Sequence, residues 1–373
     1  MKFRTERDGL LEALVTAGRA AGARGAAGTT SPSIQLSLRG NQLEVTGSDP
    51  DLVIEVRTSV TGDADGITLV PPRLVVEIVR SFDPGTVSVV GDDDEVRISS
   101  GRADFAVRVP VGAEITRLSS PDSEGITLPG ARFAEGLRQV VRAALTDDSR
   151  APQLTGVLMV ATESGLRLVA TDSYRLAIRD LEGVTALQPG VQVLVPARAL
   201  AEIQRLLGAV GDDETPLVFR HSDLDAVFDV GSVRLTTRLL RGPFPDYERL
   251  SPPAYPHALE VVREDLAAAL RRVRLMARDA KDATTPVRIS FGPGGAELAV
   301  LTPESGRASE RVDGQFEGEE LTVAFNPGYL LDGVEALRAD TLVVEVIDST
   351  KPATLRGQGD DDYRYLLMPV RVS

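Results

Sequence analysis

The chain repeats itself. Residues 70–80 (VPPRLVVEIVR) and 195–205 (VPARALAEIQR) share the pattern V-P-x-R-x-x-x-E-I-x-R, and Pro196 follows Pro71 by 125 residues (196 − 71). A weaker third copy, residues 325–335 (FNPGYLLDGVE), places Pro327 a further 131 residues on (327 − 196). Proline is well suited to open a helix, because its missing N–H would have no intrahelical acceptor there. A second landmark moves in step: helical patterns begin near Asp8, Phe133 and Glu264, again 125 and 131 residues apart (133 − 8, 264 − 133). Two landmarks advancing together mark an array of like units. The spacing predicts three domains, 1–124, 125–253 and 254–373.

Short alternating runs surround the helices. Residues 34–38, 42–45, 86–90, 96–98, 165–169, 232–236, 296–300 and 342–346 carry apolar side chains at every second position, the period of half-buried strands. Gly91 to Asp94, Gly101-Arg102 and Gly292-Pro-Gly-Gly295 supply turn chemistry between them. Each unit therefore reads as two helices over antiparallel strands, an α+β domain in three tandem copies.

Composition removes several functions. The 373-residue chain has no cysteine and only His221 and His257, which excludes thiol nucleophiles, thiolate metal sites and multi-histidine centres. No phosphate-binding loop or nucleophile elbow is present, and His221 reads as a loop residue. No catalytic residue, metal or cofactor is expected. The charged opening MKFRTERD is not a signal peptide, and no apolar run is long enough for a membrane span, so a soluble cytoplasmic protein is expected.

Charge is unevenly distributed. The net charge is −14, yet 38 of the 41 basic residues are arginine, a bias that the source genome's codon usage would also produce. In the second copy Leu137, Val140, Val141, Ala144 and Leu145 form an apolar stripe, with Arg138 and Arg142 outside it. In the third copy Leu266, Ala269, Leu270, Val273 and Ala277 form the stripe beside Arg271, Arg274 and Arg278. The proline helices add Arg73, Arg80, Arg198 and Arg205 at matching positions, while acidic runs (92–95, 212–214, 360–362) sit in turn-like segments. Basic helix faces without aromatic residues suit phosphate contact rather than base reading or single-strand stacking. The acidic runs also admit a metal-dependent hydrolase, although solvated loops explain them better.

Longer motifs carry a family resemblance. The opening MKFRTER, residues 154–158 (LTGVL), 170–177 (ATDSYRLA), 244–247 (FPDY), 325–332 (FNPGYLLD) and 365–371 (YLLMPVR) resemble the bacterial sliding clamps, the β subunits of DNA polymerase III. Residues 349–353 (STKPA) and 237–240 (TRLL) resemble the actinobacterial branch.

The resemblance implies a head-to-tail homodimer whose six domains close a ring around duplex DNA without reading its sequence. It implies a non-catalytic processivity factor that tethers the replicative polymerase, the clamp loader and repair polymerases through short peptides. DNA-facing residues would be Arg24, Arg73, Arg80, Arg138, Arg142, Arg150, Arg198 and Arg205. The deep part of the peptide pocket maps to Leu154, Thr171, Tyr174, Arg175, Leu176, Pro245, Arg249, Leu250, Leu366 and Met368, and the shallower part to Asn326, Tyr329, Pro369, Val370 and Arg371. Apolar walls with few polar anchors suit a peptide with a central Gln and a terminal Leu/Phe. The dimer contact maps to Phe105 against Leu275 and Met276, with Asp104, where a basic residue is usual, pairing Arg274 or Arg278. The polar stretch after Arg24 (GAAGTTSP) also departs from the family. These departures suggest a divergent second copy. One specialised alternative is a clamp that confers self-resistance to a cyclic-peptide antibiotic of the griselimycin type.

Overall fold

Helices form where the repeat places them. The structure, a computed structural model, describes residues 1–21, 32–110, 115–119, 121, 123–147, 151–210, 216–252, 254–278, 285–303 and 305–371. Among these the leading helices are α1 (Arg7–Gly18), α3 (Gly130–Val140) and α5 (Arg263–Arg278), and the trailing ones are α2 (Pro72–Ser81), α4 (Ala197–Val210) and α6 (Pro327–Ala336). Pro327 stands at the first position of α6, while Pro196 instead closes the strand before α4. α1 buries Leu10, Ala13, Leu14 and Ala17. It lies so close to the Gln42–Ser48 strand that a Cβ on Gly47 would sit 1.9 Å from the Ala17 carbonyl oxygen, so only glycine fits there.

One helix ends early. The expected stripe runs to Leu145, but α3 stops at Val140 and continues as a 3₁₀ turn, Val141–Ala143. The tighter turn brings Ala143 inward and leaves Val141 and Leu145 only half-buried. A second expectation also changes: Asp360, Asp361 and Asp362 open the Asp360–Leu367 strand rather than a turn, and Arg179 pairs with Asp360 (3.5 Å) and Asp362 (3.8 Å). The acidic run 212–214 lies outside the described residues, as do Arg24, Arg150 and the segment 25–31.

The chain divides into two compact units, Met1–Gly130 with Arg205–Leu239, and Ala131–Gln204 with Leu240–Ser373. These do not coincide with the repeat, because strands of neighbouring copies pair with each other. In the first unit one sheet runs in the order Thr61–Ala64, Lys2–Glu6, Thr86–Gly91, Glu95–Ser100, Ala103–Arg108. Its other sheet joins copies by pairing Val233–Arg238 antiparallel to Leu52–Ser59, with Val233 opposite Val56 and Thr237 opposite Leu52. In the second unit Arg175–Glu182 pairs with Asp360–Leu367 in the same way, Arg175 opposite Leu367 and Arg179 opposite Tyr363. Each junction thus places the last strand of one copy beside the fourth strand of another.

Candidate functional site

The second unit's junction builds an exposed platform from a sharp turn. Asp172 Oδ1 accepts the N–H groups of Tyr174 (2.9 Å) and Arg175 (3.0 Å), and the Thr171 hydroxyl donates to the Arg175 carbonyl (2.6 Å). Short polar side chains that capture nearby backbone groups stabilise such turns. Ser173 at its apex has φ 78°, left-handed backbone that L-residues seldom adopt. The turn therefore points Tyr174 outward while Arg175 and Leu176 turn inward.

Arg175 is the electrostatic centre. Its side chain is 8% exposed and that of Asp172 is 5% exposed, and the two pair at 3.0 Å. A second carboxylate, Asp332 on α6, accepts from Arg175 at 2.5 Å, and the guanidinium lies 4.2 Å from the Tyr329 ring centroid. Burial opposes the charge on Arg175, but the carboxylates of Asp332 and Asp172 outweigh it and hold the guanidinium more firmly protonated than usual. Burial pushes the Tyr365 phenol well up, keeping it a neutral donor to the Tyr329 carbonyl (2.8 Å). A Cβ on Gly333 would meet that ring at 2.5 Å, so glycine lets Tyr365 reach α6. Asn326 caps α6 by accepting from the N–H groups of Gly328 (2.8 Å) and Tyr329 (3.2 Å).

Beside this network Leu158, Val169, Leu176, Ile178, Leu194 and Leu366 form a buried apolar cluster, with Val160, Leu240, Phe244 and Tyr247 packed against it. Above it stand large apolar residues in solvent: Tyr174 (64% exposed), Leu250 (46%) and Met368 (41%). The Met368 N–H donates to the Tyr174 carbonyl (2.8 Å) and that of Val370 to the Ala324 carbonyl (2.7 Å), which fixes residues 368–370 beside the Tyr174 turn. Leu154 is buried on a 3₁₀ turn, Pro369 is half-buried, and Pro245 and Arg371 are exposed. Arg249 is highly exposed and pairs with Asp246 at 2.8 Å. Sequence reasoning left Leu158, Leu194, Leu240, Phe244 and Tyr247 out of the site. The FPDY motif and the continuous apolar run through residues 156–161 were the available signals.

The arginines separate into two groups. Arg138 is engaged within the chain: it pairs with Glu135 (2.7 Å) and donates to the carbonyls of Glu335 (3.0 Å) and Ala336 (2.7 Å) at the end of α6. Burial would raise the Glu135 carboxyl, but Arg138 and Arg338 prevail and hold it below its ordinary value of 4.5. Arg73, Arg80, Arg142 and Arg205 are exposed and Arg198 is half-buried. Of the expected dimer residues, Leu275 is exposed, Phe105 is partly exposed with its ring 5.7 Å from that of Phe82, and Arg274 and Met276 are half-buried. The side chain of Arg278 lies outside the described set. Asp104 Oδ1 is 3.9 Å from Arg97.

A two-helix, antiparallel-sheet domain repeated three times defines a clamp-type architecture, here with an exposed apolar platform beside a buried guanidinium. The family models for the DNA polymerase III β subunit match in order: the N-terminal domain over residues 1–118, the central domain over 127–246 and the C-terminal domain over 248–371. The chain is 32% identical to the β sliding clamp of Streptomyces coelicolor, with all of both chains covered. Two solved structures also match over all of both chains. The sliding clamp of Bacillus subtilis is 27% identical at a TM-score of 0.88, and a Pseudomonas aeruginosa sliding clamp solved bound to griselimycin is 26% identical at 0.87. The chain belongs to the DNA polymerase III β-subunit family, the bacterial sliding clamps, and its likeness to the Streptomyces protein fits the actinobacterial branch.

Proposed function

We propose that two copies of the chain close head to tail around duplex DNA in the cytoplasm and hold replication and repair proteins there through peptides seated on the Tyr174–Met368 platform. The clamp is a tether and performs no chemistry. Topological linkage removes the need for strong DNA contacts, so weak phosphate contacts permit sliding. The expected occupant is a short peptide with a central Gln and an apolar end, and a cyclic peptide such as the griselimycin of the Pseudomonas relative would compete for the same surface. Among the described residues no helix is long and apolar enough to cross a membrane.

One observation carries the proposal. Both internal junctions pair the last strand of one copy with the fourth strand of another. Two such edges remain unpaired among the described residues: the outer edge of Ala103–Arg108, and residues 306–311 of the Gly306–Glu317 strand, whose other edge pairs with Gly295–Thr302. Repeating the junction between two copies satisfies both edges twice and closes a symmetric dimer.

Alternation revises the expected ion pair. Phe105 and buried Val107 share one face of their strand, so Asp104 points to the other. Glu310 faces α5, where it pairs with Arg272, so the exposed residues Arg307, Ser309 and Arg311 face away from α5. The partner for Asp104 is then Arg307 or Arg311 of the partner subunit, in place of Arg274 or Arg278. Solution mass tests the proposal: a dimer supports it and a monomer at micromolar concentration contradicts it.

A further inference from the structure

We infer that two carboxylates of α6, Asp332 and Glu335, set the strength of the clamp's phosphate contacts by occupying the arginines that would otherwise take phosphate. The inference rests on the clamp reading and specifies how its DNA-facing charge is tuned.

α6 carries Tyr329, Asp332 and Glu335 three residues apart, along one line of the helix. Asp332 holds Arg175 through Oδ2, and its other oxygen lies 3.7 Å from Arg142. Glu335 reaches Arg142 at 3.4 Å through Oε2 and Arg271 at 3.0 Å through Oε1. Arg271 also pairs with Glu264 at 3.0 Å. The result is a ladder of alternating charge, Arg175–Asp332–Arg142–Glu335–Arg271–Glu264, which leads from the peptide platform to two exposed arginines.

Within this ladder Arg142 and Arg271 differ from Arg138. Arg138 is bound to backbone carbonyls and to the partly buried Glu135, so it anchors α3 to α6 and is not released at small cost. Among the described residues Arg142 and Arg271 are exposed and held by side-chain carboxylates, in pairs that solvent weakens. A phosphate oxygen offers them the same acceptor chemistry as a carboxylate oxygen. Phosphate contact therefore exchanges one anion for another, and the net gain is smaller than for an unpaired arginine. A small net gain per contact is what a sliding ring requires. The chain's −14 charge makes such internal competition available without a separate regulatory element.

The test uses the full-length protein and a short linear duplex of mixed sequence at low salt. Glu335→Gln removes the carboxylate and keeps the side-chain size, and the backbone carbonyls that Arg138 uses remain. Affinity for the duplex should rise about two- to fivefold, the range that exposed pairs carry, and the salt dependence should steepen. Glu335→Gln combined with Arg142→Gln and Arg271→Gln should cancel the gain, which a merely structural role for Glu335 does not predict. Asp332→Asn is less suitable alone because it also disturbs Arg175. Glu264→Gln, at an exposed position on α5, gives a second readout in the same direction through Arg271. If the wild type binds duplex and both single variants bind equally or more weakly, the inference is overturned while the clamp reading stands. If the wild type shows no salt-sensitive duplex association, the inference is overturned, and the clamp reading is decided separately by retention on circular duplex after loading.

Discussion

Replacing Arg175 with glutamine removes the charge that organises the platform. In the folded chain this guanidinium neutralises Asp172 and Asp332 and lies over the Tyr329 ring. Breaking a buried pair by deleting one partner typically costs about 3–5 kcal/mol, because the remaining charge stays buried. Asp172 retains two backbone N–H donors, which places the loss toward the lower end. Asp332 is about one-third exposed and adds little. The lost cation–π contact contributes about 0.5–2 kcal/mol. A total of about 4 kcal/mol follows, and if about two-thirds of it falls on the ordering of residues 171–176, peptide affinity should drop about a hundredfold. Fluorescence anisotropy with a labelled peptide carrying a central Gln and a terminal Leu-Phe measures that loss, and urea unfolding measures the stability change. Arg175→Lys keeps the charge but loses the planar fork, and should fall between wild type and Arg175→Gln. Peptide affinity within twofold of wild type, together with an unchanged unfolding midpoint in Arg175→Gln, would refute the role assigned to this network.

Three further outcomes are expected. Met368→Ala should weaken peptide binding by about 1–2 kcal/mol while the dimer mass is unchanged, since Met368 is exposed and its N–H, not its side chain, anchors the segment. Asp104→Arg should speed dimer dissociation, measured by subunit exchange, because in the proposed seam it sets a cation against Arg307 and Arg311 of the partner subunit; unchanged or slower exchange would contradict that seam. The Glu135 carboxyl is held below its unfolded value, so its contribution is present above pH 4.5 and is lost as pH falls through the depressed value. Glu135→Gln should therefore lower the thermal midpoint at pH 7 and flatten its decline below pH 4.5, and equal acid slopes in both proteins would count against the tether.

The sequence showed the repeat, the six helix positions and eight of the 25 described strands because those depend on local chemistry: proline at helix starts, apolar spacing and glycine turns. It did not show where α3 ends, because the shift to 3₁₀ at Val141 is set by packing that brings Ala143 inward. The compact units were hidden for a related reason: Val233–Arg238 and Asp360–Leu367 pair with strands more than 150 residues away, and no local pattern encodes that choice. In the site, Tyr174, Arg175, Tyr329 and Met368 were reachable through motifs. Asp332 was visible in the FNPGYLLD segment, but its link to Arg175 requires α6 to lie beside the 171–176 turn. Arg138 shows the limit of charge patterning, since its helical position resembles that of Arg142 while its hydrogen bonds commit it to the carbonyls of Glu335 and Ala336.

The central claim is topological, and retention after loading tests it most directly. Protein loaded onto nicked circular duplex should remain through a high-salt wash and leave promptly once a restriction enzyme opens the circle, whereas protein on linear duplex with blocked ends should stay. Equal loss from closed circles and from open linear duplex would contradict encirclement.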